Sequence, residues 1–239
     1  MLIVNTLTRL FGLFNNLMLF NKDYLFIHIP RTGGKCIKST IIPFLKKPIY
    51  LCQKHIDKKY FNVKDFYLLP NESSHKLAVD TKFFLKENGI DINTLKVITT
   101  IRNPYDRIKS LYKFRKFKNK MWTDCSFDTF LKHHINSEAR TIFFKPIKDY
   151  CTIDNQLLQN INFIRFDHIN EDLCKVFNIK EIDASVKKHN EIKTLSEEES
   201  KEVFYLKDKK KAVAIINKWE EWAINQGLVK AVTEKDLSN

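Results

Sequence analysis

Residues 30–36 read Pro-Arg-Thr-Gly-Gly-Lys-Cys, and the whole 239-residue chain holds only five glycines. Gly33 and Gly34 stand together between two cations, Arg31 and Lys35, with Thr32 and Cys36 at their sides. Adjacent glycines let the backbone curl so that successive N–H groups point inward, and a helix starting there adds partial positive charge. With Arg31 and Lys35 on the rim, the pattern suits a phosphate or sulfate group. A second set lies further on, in "VITTIRNPYDRIKS" (97–110). Arg102 ends an apolar β-branched run, Asn103 is a good N-cap and Pro104 fits the first helical position. Ser110 then lies about two turns down the helix, so Arg102 and Ser110 can face one anion along its flank. Each set alone has a plain reading, a βα turn for the first and a surface salt bridge for Arg102. The first is not a Walker A loop. That needs GxxxxGK[ST], and Cys36 stands where a magnesium-binding hydroxyl belongs, which weighs against a nucleotide-dependent phosphotransferase.

The elements that must position these residues follow from the hydrophobic pattern. Residues 24–29, 96–101 and 162–166 read as buried strands, and 48–52 as a shorter one. Helices are expected over 34–45, 76–87, 104–118 and 169–177, and through most of the last forty residues. Ser196 with Glu199 forms a capping box. Strands alternating with helices predict an α/β fold with a central parallel sheet flanked by helices, a P-loop-like three-layer arrangement. Ligands of such sheets sit at the carboxyl ends of the strands. The first twenty residues wind into an amphipathic helix with Ile3, Leu7, Leu10, Phe14 and Leu17 on one face. Their apolar runs are too short for a spanning helix or a signal-peptide core. We expect residues 1–22 to pack on the domain or to mediate a dimer, 23–231 to form one domain, and 232–239 to be a disordered tail.

Composition sets the partners. There are 41 Lys+Arg against 28 Asp+Glu, a net charge of +13, and 44% hydrophobic residues. The charge favours anionic partners, and part of the lysine excess belongs with the general abundance of Lys, Asn, Ile and Phe. The five cysteines have no CxxC spacing, which predicts neither a zinc site nor a disulfide framework.

"FIHIPRTGG" followed by "RNPYDRIKSLYKF" resembles the sulfotransferases, in particular the carbohydrate group that includes the heparan sulfate 2-O-sulfotransferases. "FIRFDHINEDLCKVFNI" (163–179) is similar to a later segment of that family, with Asp167 where Glu is usual. The resemblance covers roughly 24–180. It implies that the first loop, Arg31 to Cys36, holds the 5′-phosphosulfate of PAPS, and that Arg102 and Ser110 hold its 3′-phosphate. The sequence departs at Arg31, where the family usually has Lys, and at Lys35 and Cys36, where it usually has Thr and Ser. Either Arg31 or Lys35 can stabilise the leaving phosphate. The implied activity is sulfuryl transfer from PAPS to a hydroxyl, releasing PAP, with no metal. A module that binds PAP or acidic glycan without turnover is the rival reading, and the altered "RTGGKC" is its support.

Such a reaction needs a base for the acceptor hydroxyl. Among seven histidines, His28 sits inside a strand, and His133 and His134 lie on a polar helix. His75, between the two loops and just before a helix, corresponds to the family's catalytic base, and Glu72 is the reserve. As plain chemistry, "NESSH" also reads as a helix cap. From Arg107 to Lys120 seven basic residues interleave with Tyr112, Phe114 and Phe117. Most of them read as a solvated face, yet the pattern also suits an anionic carbohydrate acceptor. No RNA-recognition, KH or helix-turn-helix signature points to a specific nucleic acid. The expected compartment is the cytoplasm, with the Golgi lumen as alternative.

Overall fold

The computed structural model describes residues 19–52, 66–69, 76–118, 120, 124–137, 141–182 and 195–238. Its chain divides into two compact units. The first holds 1–29, 33–100 and 149–186, and the second holds 30–32, 101–148 and 187–239.

The first unit is built on a six-stranded sheet, β1 (Leu19–Phe20), β2 (Tyr24–Ile27), β3 (Ile49–Cys52), β4 (Phe66–Leu69), β5 (Lys96–Ile101) and β8 (Ile161–Arg165), in the order β4-β3-β1-β2-β5-β8. β2 runs parallel to β5, pairing Tyr24 with Lys96 through Ile27 with Thr99, and β3 runs parallel to β4. β1 is antiparallel to both β2 and β3. The sheet is therefore mixed around a parallel core. Among the described residues the difference lies at Leu19–Phe20, a strand where the first helix was expected, while residues 1–18 lie outside them. Asn21 makes that turn: its Oδ1 accepts from the N–H of Asp23 and Tyr24, at 2.9 and 2.7 Å.

Helices follow the strands as the periodicity predicts. They are α1 (Gly34–Ile41), α2 (Ala78–Glu87) and α6 (Ile169–Phe177). A small hairpin, β6 (Thr152–Ile153) with β7 (Gln156–Leu157), completes this unit after the short helix α5 (Ile147–Cys151). The core here is aliphatic: Leu19, Phe26, Ile37, Ile98, Ile164 and Leu173 are all buried.

The second unit is helical. α3 (Pro104–Lys113) continues into a wider π turn over Phe114–Lys118, and α4 (Phe127–Phe130) into a second over Leu131–Ile135. Then come α7 (Glu197–Val203), α8 (Lys209–Trp219) and α9 (Glu221–Asn225). The Ser196–Glu199 capping box starts α7 as read from the sequence. The core is aromatic: Tyr112, Phe127, Phe130 and Trp219 pack with Ile108, Leu111 and Ile216.

The segment after α9 packs on this core. Val232 and Leu237 are buried in this core, and Asn217 clasps Val232 through both its amide atoms, at 2.8 and 2.9 Å. Two apolar side chains spaced five residues apart anchor an otherwise charged segment.

Candidate active site

The glycine turn belongs to the first unit. Gly33 takes φ 87 and caps α1 without a side-chain hydrogen bond, and no acid stands in the first turn of that helix. The positive end of the helix is thus not neutralised from within. The glycines have a second reason to be there. A Cβ on Gly34 would stand 1.9 Å from Cδ2 of buried His28, and one on Gly33 would stand 2.8 Å from Cε2 of Phe166. No β-carbon fits either gap. Cys36, one turn on, is buried, and its carbonyl accepts from Thr40 Oγ1 at 2.9 Å. The backbone of Lys35 lies in α1, while its side chain is outside the described residues.

The cations lie in the second unit. Arg31 has φ 66, in the left-handed region that a non-glycine residue seldom visits. Its Nε donates to Ser110 Oγ at 2.9 Å, and its guanidinium lies 4.9 Å from the centre of the Phe114 ring. Arg102 Nη1 reaches back to the Arg31 carbonyl in a long contact of 3.5 Å. Burial, and next the Arg102 charge, pull Arg31 down from the ordinary guanidinium value to about 10. Arg31 nevertheless stays charged at neutral pH, so two guanidiniums and a hydroxyl converge with a like charge as neighbour. Asn103 aims this set: its Oδ1 accepts from the N–H of Tyr105 and Asp106, at 2.9 and 3.2 Å, and so fixes where α3 begins. Thr32 is fully buried.

A third arginine was hidden in the basic run. Arg107 is completely buried, at 0% exposure, and bonds Glu220 Oε1 at 2.7 Å. It is therefore no part of a solvated or acceptor-binding face. Its position was readable, since Pro104, Arg107, Ile108 and Leu111 share one buried stripe of α3. Lys109 and Arg115, in the same run, lie over rings instead: Lys109 5.0 Å from Tyr105 and Arg115 4.6 Å from Phe143.

A family model described as sulfotransferase domain matches residues 25–213. The chain belongs to the sulfotransferase domain family. No curated protein and no solved structure matches it significantly. The match begins in β2, ahead of the glycine turn, and ends in α8, so it takes in both the glycine turn and the Arg102–Ser110 segment. Family chemistry is the transfer of a sulfuryl group to an acceptor hydroxyl. The central parallel strands with flanking helices are the α/β architecture that the alternation of strands and helices predicts.

Other expected residues of this sulfotransferase fall elsewhere. His75 and Glu72 lie outside the described residues, as do His55 and His189. His28 is buried against the glycine turn, as a strand residue should be. His134, expected on a polar helix, is half-buried between Phe130 and Phe144, at 5.7 and 5.8 Å. That burial, then His133 and Arg115, lowers its pKa. His168 is exposed and pairs with Glu171 at 3.2 Å. Arg165 and Asp172 form a two-pronged pair at 2.9 and 2.7 Å that ties β8 to α6. Among the described residues no cluster of His, Cys, Asp and Glu could hold a metal ion. Nor, among them, is any helix long and apolar enough to cross a membrane.

Proposed function

We propose that the chain moves the sulfuryl group of PAPS to a hydroxyl of a carbohydrate, releasing PAP. The observation that carries this reading is the cluster of Arg31, Ser110 and Arg102, in which Arg31 bonds Ser110 and Arg102 reaches the Arg31 carbonyl. A half-buried cationic pair with a hydroxyl beside it suits a doubly charged phosphate, because guanidiniums bind such oxygens with directed, charge-assisted hydrogen bonds. We assign these three side chains to the 3′-phosphate. The sequence expectation put Arg31 at the 5′ end, and its bond to Ser110 favours the 3′ set. The α1 N-terminus with Gly33 and Gly34 takes the 5′-phosphosulfate, and Lys35 serves as the loop cation that covers the departing phosphate oxygen. Thr32 and Cys36 complete the turn.

In the reaction, the acceptor oxygen attacks sulfur in line, and the bond from sulfur to the bridging phosphate oxygen breaks. His75 takes the hydroxyl proton, with Glu72 orienting it or standing in as base. PAP leaves with the electron pair. All the positive charge comes from side chains and backbone, so the assignment needs no metal. Basic residues beyond Arg107, such as Lys113 and Lys118, suit an anionic glycan acceptor. The cytoplasm is the proposed compartment. Cys36, Cys125, Cys151 and Cys174 are free thiols, which supports a reducing one over the Golgi lumen.

Calorimetric titration of PAP, with AMP as control, tests the donor assignment. PAP should bind the wild type well ahead of AMP. Arg102→Ala should lose about tenfold to a hundredfold in PAP affinity, the range for a hydrogen bond to a charged group, and little for AMP. Equal affinity for the two nucleotides would remove the donor assignment. A second reading, a module that holds the nucleotide without turnover, draws on buried Cys36 standing where the family usually has Ser. PAP binding with no transfer from labelled PAPS to any glycan acceptor would favour it.

A further inference from the structure

We propose that Arg107 is a positioning residue for Arg31, and that Glu220, at the junction of the last two α-helices, is thereby part of the anion-binding apparatus. The inference rests on the donor reading above. Arg31 holds a left-handed backbone, φ 66, that has no glycine to ease it. Such a conformation persists only where the surroundings over-determine it. The peptide on its N-terminal side is gripped by Arg107, whose Nε donates to the Pro30 carbonyl at 3.1 Å.

The other arms of the Arg107 fork are also committed. Nη1 donates to Glu220 Oε1 at 2.7 Å, and Nη2 to the Lys145 carbonyl at 2.9 Å. Glu220 Oε2 accepts from the Ile147 N–H at 3.0 Å, so both carboxylate oxygens are used. Trp219 closes the arrangement. Its ring lies 4.7 Å from the guanidinium, and its Nε1 donates to the Phe144 carbonyl at 2.7 Å. Arg107 and Glu220 are 0% and 1% exposed. A buried pair of this kind is seldom a source of net stability against apolar side chains of the same volume, so its retention asks for another reason. The reason we draw is geometric. Glu220 neutralises Arg107, which leaves the guanidinium no charge to offer an anion but three fixed donor directions. One of them pins the peptide that leads into Arg31. A lysine keeps the charge and cannot keep three directions.

The experiment compares the wild type, Arg107→Lys, Arg31→Ala and the double variant, each titrated with PAP and with AMP, with thermal midpoints recorded to establish folding. Arg107→Lys should lose about tenfold in PAP affinity, the loss of one charge-assisted contact, and almost none in AMP affinity. Global destabilisation alone would not change that ratio in the folded protein. The double variant should bind PAP no worse than Arg31→Ala, because Arg107 acts through Arg31. An unchanged PAP-to-AMP ratio in folded Arg107→Lys would overturn the proposal, as would losses that multiply in the double variant. If Arg107→Lys does not fold, Glu220→Gln takes its place with the same expected loss. Inorganic sulfate separates this proposal from the nucleotide reading. The rise in thermal midpoint that sulfate gives the wild type should shrink equally in Arg107→Lys and Arg31→Ala, since the glycine turn is left intact in both. If the wild type does not prefer PAP over AMP but the sulfate result holds, the nucleotide fails and the positioning role stands. If sulfate stabilises Arg107→Lys as much as the wild type, the positioning role fails.

Discussion

Arg31 carries its charge at a cost that the fold does not itself relieve. Burial, and then Arg102, bring it down to about 10 from the ordinary guanidinium value. A cation whose folded value lies below its unfolded one destabilises the fold wherever it is protonated there. That cost is full below about pH 10 and is relieved as pH rises from there toward the unfolded value. Sulfate or PAP should therefore raise the thermal midpoint near pH 7, and the rise should fade above about pH 10. Arg31→Ala should do the reverse: a midpoint at least as high without anion, and a smaller response to sulfate. Gly34 allows a prediction by clash. Gly34→Ala puts a methyl 1.9 Å from His28 Cδ2 and should lose about 1–3 kcal/mol, the usual cost of overpacking. His28→Ala in the same chain should recover part of it in urea unfolding, and an equal loss in both backgrounds would refute the packing explanation. The need for glycine at this turn was legible in the sequence, but only as backbone freedom. That His28 and Phe166 lie against the two glycines depends on β2 and β8 in three dimensions, and no local pattern carries that.

The elements that were legible are those with strong local chemistry. Asn103-Pro104 announces the start of α3, Ser196 and Glu199 announce α7, and the β-branched run "KVITTI" announces β5. Replacing Asn103 by Ala should cost about 1 kcal/mol as a lost cap. It should also weaken PAP binding, since the same cap sets where Arg102 points. Ser196→Ala should cost a similar amount and leave PAP affinity unchanged, which a paired titration and melt would show. The illegible elements lack such signals. β1 is two residues at the end of a run whose period reads as helix, and "FYLL" of β4 is too short to separate from a loop. The charge of the 107–120 run masked its packing. Arg107 lies on the apolar stripe, and its partner Glu220 is 113 residues away.

At the scale of the whole molecule, each unit has a core of its own character, one mainly aliphatic and one aromatic, and the two share no residue. Composition predicted enough apolar mass for a core but not its partition. The C-terminal segment belongs to the aromatic core, so Leu237→Ala should cost about 2–3 kcal/mol, as for a buried leucine. Denaturant titration checks this, and a loss near zero would return the segment to the status of a tail. Among the described residues the sheet of the other unit has its shortest strand near its middle: there β1 meets β2 through two residue pairs and β3 through one, while β2–β5 and β3–β4 each run to four. Across that join Phe20 stacks on Tyr50 at 4.7 Å and meets Phe84 edge-on at 5.8 Å. Rings rather than the ladder hold the two halves together. Opening of the sheet should begin there, with the amides of β3 and β4 exchanging with solvent before those of β2 and β5. The strands that lead into Arg31 and Arg102 stay zipped while the far edge breathes.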